Sequence, residues 1–181
     1  MLGGVFHNTR DYLADPINAA AGVPLPALEL RRVVDELHAL SPRLKVGPIT
    51  WQWGFGENDA VFHSHPEWTV HGPDGRPQFA ASGWEDERVY SQLLTPACRQ
   101  FVLSQYEGAC KRYDLDFIYM DTGQGGVTRF DWNTHWSAQD YDWADLYQGI
   151  RDAARGNREG AVFYNGTPAL YSTYSDCGYF E

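Results

Sequence analysis

Asp121 has the setting best suited to chemistry. It closes the apolar run Leu115-Asp116-Phe117-Ile118-Tyr119-Met120 and is followed at once by Thr122-Gly123, so its carboxyl is expected where a strand gives way to a loop. Beside Tyr119, such a carboxylate can act as a nucleophile or as a general acid with a raised pKa. It can equally cap the loop by accepting backbone N–H bonds. Splitting an acetal takes two carboxyl groups, about 5 Å apart for retention and about 6.5 to 9.5 Å apart for inversion. Asp176 and Glu181 are the candidate partners, both in the aromatic stretch Tyr174-Ser175-Asp176-Cys177-Gly178-Tyr179-Phe180-Glu181.

The composition bears on what such a pair would act upon. Trp 7, Tyr 11 and Phe 9 make the chain 15% aromatic, and Trp near polar loops suits the flat faces of sugars. Trp51, Trp53 and Trp68 are the expected stacking walls, with His65 and Tyr119 beside them. His7 and Asn165, each at the end of a short apolar run, are placed to bind hydroxyls. A rival reading takes His63, His65 and Asp121 as zinc ligands for metal-assisted hydrolysis, because two histidines one residue apart on an extended segment point the same way. No cofactor is expected. Cys98, Cys110 and Cys177 are odd in number and lack Cys-x-x-Cys spacing, which favours buried free thiols. Gly-x-Ser-x-Gly and P-loop motifs are missing, against serine hydrolase and nucleotide-driven chemistry. Gly123-Gln124-Gly125-Gly126 leads into no helix and reads as a loop.

These residues need elements to carry them. The periodicity predicts a helix over about 27–40, with Leu30, Val33, Val34, Leu37 and Leu40 on one stripe, then a strand over 45–53. Thr95-Pro96 starts a second helix with the stripe Cys98, Val102, Tyr106, Ala109 and Tyr113, followed by the strand ending at Asp121. A third helix over about 141–154, carrying Trp143, Leu146, Tyr147, Ile150 and Ala154, precedes the strand 161–165. Helix then strand, repeated, with strands apolar on both faces, predicts an α/β fold of parallel strands covered by helices. Residues 54–94 form a long insertion after the strand 45–53. Within it, Gly72-Pro73-Asp74-Gly75-Arg76-Pro77 punctuates a hairpin.

Charge and length set outer bounds. A net charge of -10 with only Lys45 and Lys111 beside twelve arginines disfavours polyanions such as nucleic acid. No run of about 18 apolar residues is present to span a membrane, and Met1-Leu2-Gly3-Gly4 does not begin a signal peptide. A complete (β/α)8 barrel takes about 250 residues, so a barrel reading of these 181 residues predicts a truncated single domain, two or three βα units short.

The runs Lys45-Val46-Gly47-Pro48-Ile49 through Trp53, His65-Pro66-Glu67-Trp68 with Asp74-Gly75-Arg76-Pro77, and Tyr113-Asp114-Leu115-Asp116-Phe117-Ile118-Tyr119-Met120-Asp121 resemble barrel glycoside hydrolases of the α-galactosidase-like and α-glucosidase-like group. The resemblance covers about residues 45–181. It implies a partial TIM barrel that cleaves O-glycosyl bonds of a carbohydrate, with Asp121 as nucleophile and Asp176 as acid/base. The departure from the pattern is Tyr119, where an α-galactosidase strand carries Lys or Arg. A sugar-binding barrel piece without catalysis stays open beside the hydrolase reading.

Overall fold

The computed structural model describes residues 5–7, 17–18, 23–24, 27–51, 54–57, 60–82, 88–120, 130–137, 140–158, 160–165 and 176–179. The chain begins with β1 (Val5–His7), β2 (Ile17–Asn18) and β3 (Val23–Pro24), then α1 (Ala27–Leu40) and β4 (Ile49–Trp51). The insertion holds β5 (Gly54–Gly56), α2 (Ala60–Ser64), a 3-10 turn over Pro66–Trp68, β6 (Phe79–Ser82) and β7 (Arg88–Ser91). After it come α3 (Pro96–Tyr113), β8 (Phe117–Met120), β9 (Phe130–Asp131), β10 (Trp136–Ser137), α4 (Asp140–Asn157), β11 (Ala161–Asn165) and β12 (Cys177–Tyr179).

The α/β expectation holds. Among the described residues β12, β11, β8, β4 and β1 lie side by side, all parallel, and β2 and β3 continue the β1 edge antiparallel. Among the described residues these strands form an open sheet, not a closed barrel. No helix among them is long and apolar enough to cross a membrane.

The helices form where the apolar stripes put them. Thr95 caps α3 by accepting from the Cys98 N–H at 3.3 Å, with Pro96 at the first helical position. The predicted stripes of α3 and α4 are all buried. Cys98, Val102 and Tyr106 of α3 and the α4 stripe make the main core with Ile118, Met120 and Val162 of the sheet. Leu30, Val34, Ala109, Tyr113 and Leu115 make a second, smaller one between α1 and α3. The α1 stripe stops short of its predicted end: Leu40, the last residue of the helix, is 78% exposed.

The entry ends of the strands are pegged by charge. The buried Asp116 carboxylate accepts from the Val46 N–H at 3.0 Å and from Lys45 at 3.1 Å, with His38 Nε2 at 2.6 Å. Burial alone would raise its pKa, but these bonds outweigh burial and hold it below the usual range. Asp114, the left-handed cap of α3, takes a forked pair of bonds from Arg158. That Arg158 partnership is the main reason the Asp114 pKa falls to about 2.

The insertion is ordered by backbone geometry. Gly72 and Arg76 close the predicted hairpin through the Gly72 N–H to Arg76 carbonyl bond, and Gly75 takes φ 74° as the turn requires. β5, β7 and β6 form a separate antiparallel sheet. Gly54 permits the β5–β7 approach: a Cβ there would sit 1.9 Å from the Tyr90 carbonyl oxygen.

Candidate functional site

Register across the parallel sheet brings the predicted rim residues into one row. His7 pairs with Trp51, Met120 pairs with both Thr50 and Tyr164, and Asn165 pairs with Tyr179. One step further along, the described residues of the next row are His7, Trp51, Asn165 and Tyr179. Each strand runs in the same direction, so this row marks the C-terminal edge of the sheet, the edge that carries the reacting groups in parallel barrels. Asp121, Trp53 and Glu181 lie outside the described residues, and of Trp51, His7 and Asn165 the backbone alone is described.

Side chains of β8 alternate cleanly. Ile118 and Met120 join the helix-facing core, whereas Phe117 packs edge-on against Phe163 at 5.3 Å. Phe117 and Tyr119 thus share the face turned away from the helices. Thr50 takes the helix side, accepting from the Tyr106 hydroxyl at 3.2 Å and donating to the Tyr119 carbonyl at 3.3 Å.

The position expected for Asp176 is corrected by the register. It stands just before β12, three residues below the row, or roughly 10 Å down the strand. There its carboxylate, 20% exposed, meets Arg151 at 2.8 Å and Arg155 at 2.5 Å on α4, and accepts from the Val162 N–H at 3.0 Å. Burial opposes ionisation, yet the Val162 bond and the Arg151 and Arg155 guanidiniums keep its pKa lowered. Asp176 is an anchor between α4 and the entry ends of β11 and β12.

Two further expectations change. Trp68 is 9% exposed, its ring covered by His65 at 3.9 Å and its other neighbours drawn from the core, including Phe101 at 5.4 Å. It has no face to offer a sugar; His65, which also meets Glu67 at 2.9 Å, is the more open partner. The His63-Ser64-His65 segment is not extended. His63 closes α2 and sits edge-on to Phe62, while His65 turns to Trp68, so the two imidazoles do not converge. Among the described residues no three His, Cys, Asp or Glu side chains cluster closely enough to hold a metal ion.

Sequence reasoning missed Asp131. Its fully buried carboxylate accepts from the His71 N–H at 2.6 Å, the Thr134 N–H at 2.8 Å and the Thr134 hydroxyl at 2.5 Å, with His71 Nδ1 at 3.1 Å. It clamps the β9–β10 hairpin onto the hairpin of the insertion. Burial pushes the Asp131 pKa up, but the bonds from Thr134 and His71 push it down further, leaving it lowered. The Asp-x-x-Thr spacing of 131–134, which lets a carboxylate bond a turn, was the available signal.

Comparison with solved structures places this architecture. The chain is similar to an α-galactosidase from Thermus thermophilus solved with stachyose, at 14% identity over 82% of this chain and 30% of that one, TM-score 0.62. It is similar to a maltogenic α-amylase from Thermotoga neapolitana at 14% identity over 94% and 34%, TM-score 0.66. It is also similar to an α-N-acetylgalactosaminidase from Bifidobacterium bifidum, solved with GalNAc, at 11% identity over 85% and 24%, TM-score 0.63. The shared property is the fold. These neighbours are TIM-barrel glycoside hydrolases, and the chain spans about a third of the length of the first of them. No family model matches the sequence, and no curated protein does.

Proposed function

We propose that this chain is the nucleophile-bearing sector of a glycoside hydrolase that cleaves O-glycosyl bonds of a carbohydrate with paired carboxylates. The observation that carries the reading is the register row: His7, Trp51 and Asn165 share one rung at the C-terminal edge of a parallel sheet, and Asp121 follows the last residue of the central strand β8 in the sequence.

In this mechanism Asp121 attacks the anomeric carbon and forms a covalent glycosyl intermediate, which water then hydrolyses. Glu181 is the proposed acid/base. It follows Tyr179 by two residues in the sequence, whereas Asp176 is left as the anchor of β12. Protonation of the leaving oxygen by Glu181 and its later removal of a proton from water complete the cycle. Trp51 and Trp53 supply stacking surface, and His7, His65, Tyr119 and Asn165 supply polar contacts to hydroxyls. The barrel fold of the neighbours supports the reading, since they act on or bind sugars such as stachyose.

The test is turnover of aryl glycosides by the full natural polypeptide carrying Asp121→Asn. Loss of at least about 10³-fold in kcat is expected. Unchanged turnover removes Asp121 from the mechanism.

A further inference from the structure

The insertion carries an aromatic and basic depression remote in sequence from the row. A depression of about 530 Å³ is lined by Arg76, Pro77, Phe79, Arg88 and Tyr90. Its floor follows from strand register: Phe79 on β6 pairs with Tyr90 on β7, and Arg88 lies two residues from Tyr90, on the same face. Phe79 is 58% exposed although it belongs to a sheet. Tyr90 is held flat by Phe62, stacked at 4.8 Å with an interplanar angle of 12°, so the shelf is built rather than incidental.

Charge at this shelf runs against the rest of the molecule. In a chain of net charge -10 two guanidiniums flank two aromatic rings. Among the described residues Arg88 has no ion-pair partner. Arg76 has one distant carboxylate, Asp74 at 3.9 Å, with the two side chains 85% and 63% exposed, a pair of little energetic weight. Aromatic rings take the apolar face of a pyranose, and guanidinium forks take a carboxylate in a two-bond geometry that neutral hydroxyls do not reproduce.

We propose that this shelf binds an acidic sugar, a uronic acid residue, stacked on Phe79 and Tyr90 with its carboxylate held by Arg88 and Arg76. The proposal deepens the carbohydrate reading above and names the class of saccharide. It does not require Asp121 to be the nucleophile.

The experiment is equilibrium binding, by calorimetry, of trigalacturonate and triglucuronate to the full chain carrying Asp121→Asn, each acid being compared with its methyl ester. The ester keeps shape and stacking but removes the charge. At least one acid is expected to bind about tenfold more tightly than its ester, to weaken on raising salt, and to lose that advantage in Arg88→Gln. Phe79→Ala is expected to weaken acid and ester alike. Because Arg88 and Phe79 are exposed, melting temperatures within about 2 °C of the parent verify folding. If neither acid exceeds its ester, or if Arg88→Gln leaves the difference intact, the proposal is overturned. If the shelf binds as stated while Asp121→Asn retains turnover, the nucleophile assignment fails and the shelf stands.

Discussion

Replacing Asp131 with Asn tests how the two rim hairpins are joined. The native carboxylate accepts from two backbone N–H groups and a hydroxyl, with His71 Nδ1 also within reach. Asparagine keeps one acceptor oxygen of similar shape and turns an NH2 toward the remaining donors. At least one buried N–H then loses its partner, and the surviving bonds lose their charge assistance. Each such loss costs about 1–3 kcal/mol, so Asp131→Asn should destabilise by about 2–4 kcal/mol. For a chain of this size that is a fall of about 5–12 °C in Tm. Amide exchange distinguishes the site of damage: the His71 and Thr134 N–H groups should lose protection first. The pH dependence follows from sign. A lowered Asp131 pKa means its contribution is complete above the ordinary carboxylate range and is lost as pH falls through the folded value, so the variant should lack that part of the acid limb. A Tm within about 1 °C of the parent, with His71 protection intact, would refute the clamp.

Four other outcomes follow from the geometry. Asp176→Asn in the full natural polypeptide should lower Tm while leaving kcat within about threefold, whereas Glu181→Gln should cut kcat by at least about 10²-fold; the opposite pattern would return the acid/base role to Asp176. Gly54→Ala should destabilise by about 1–3 kcal/mol, read by thermal melting, since its Cβ would meet the Tyr90 carbonyl at 1.9 Å. Arg158→Met should cost about 1 kcal/mol at pH 7, discounted for partial exposure from the pKa shift of Asp114 to about 2. Because that pKa is depressed, the loss should fade between about pH 4 and pH 2, and denaturant titrations at both ends check it. Cys98 is buried with its pKa raised and Cys110 is pushed up to about 12, both by desolvation, so alkylation of these two thiols should track unfolding.

What was legible in the sequence was whatever local pattern dictates. The apolar stripes of α3 and α4 gave those helices their buried faces, and the alternation of helix and strand gave the parallel sheet. The proline start of α3 and the glycine punctuation of the 72–77 hairpin were equally local. Position across the sheet was not legible. Asp176 was read as a rim residue from its place after the strand 161–165, but the chain returns to the entry end of the sheet before β12 begins, and no local signal marks that return. His63 and His65 were read as extended because one turn of helix is too short to show periodicity. Trp68 was read as a sugar wall because burial of a Trp depends on partners, here His65 and Phe101, that are set by tertiary contact. Asp131 was missed for the same reason: its worth lies in His71, sixty residues away.

The ionic pegs at the strand entries have an evolutionary reading. Asp114, Asp116, His38, Lys45 and Arg158 fasten α1, α3, β8 and the turn after α4 at one pole, through contacts that involve no residue of the opposite pole. Loops at that far end can lengthen, shorten or change chemistry without unfastening the scaffold. A lineage carrying this arrangement can therefore vary that end while its foundation stays fixed.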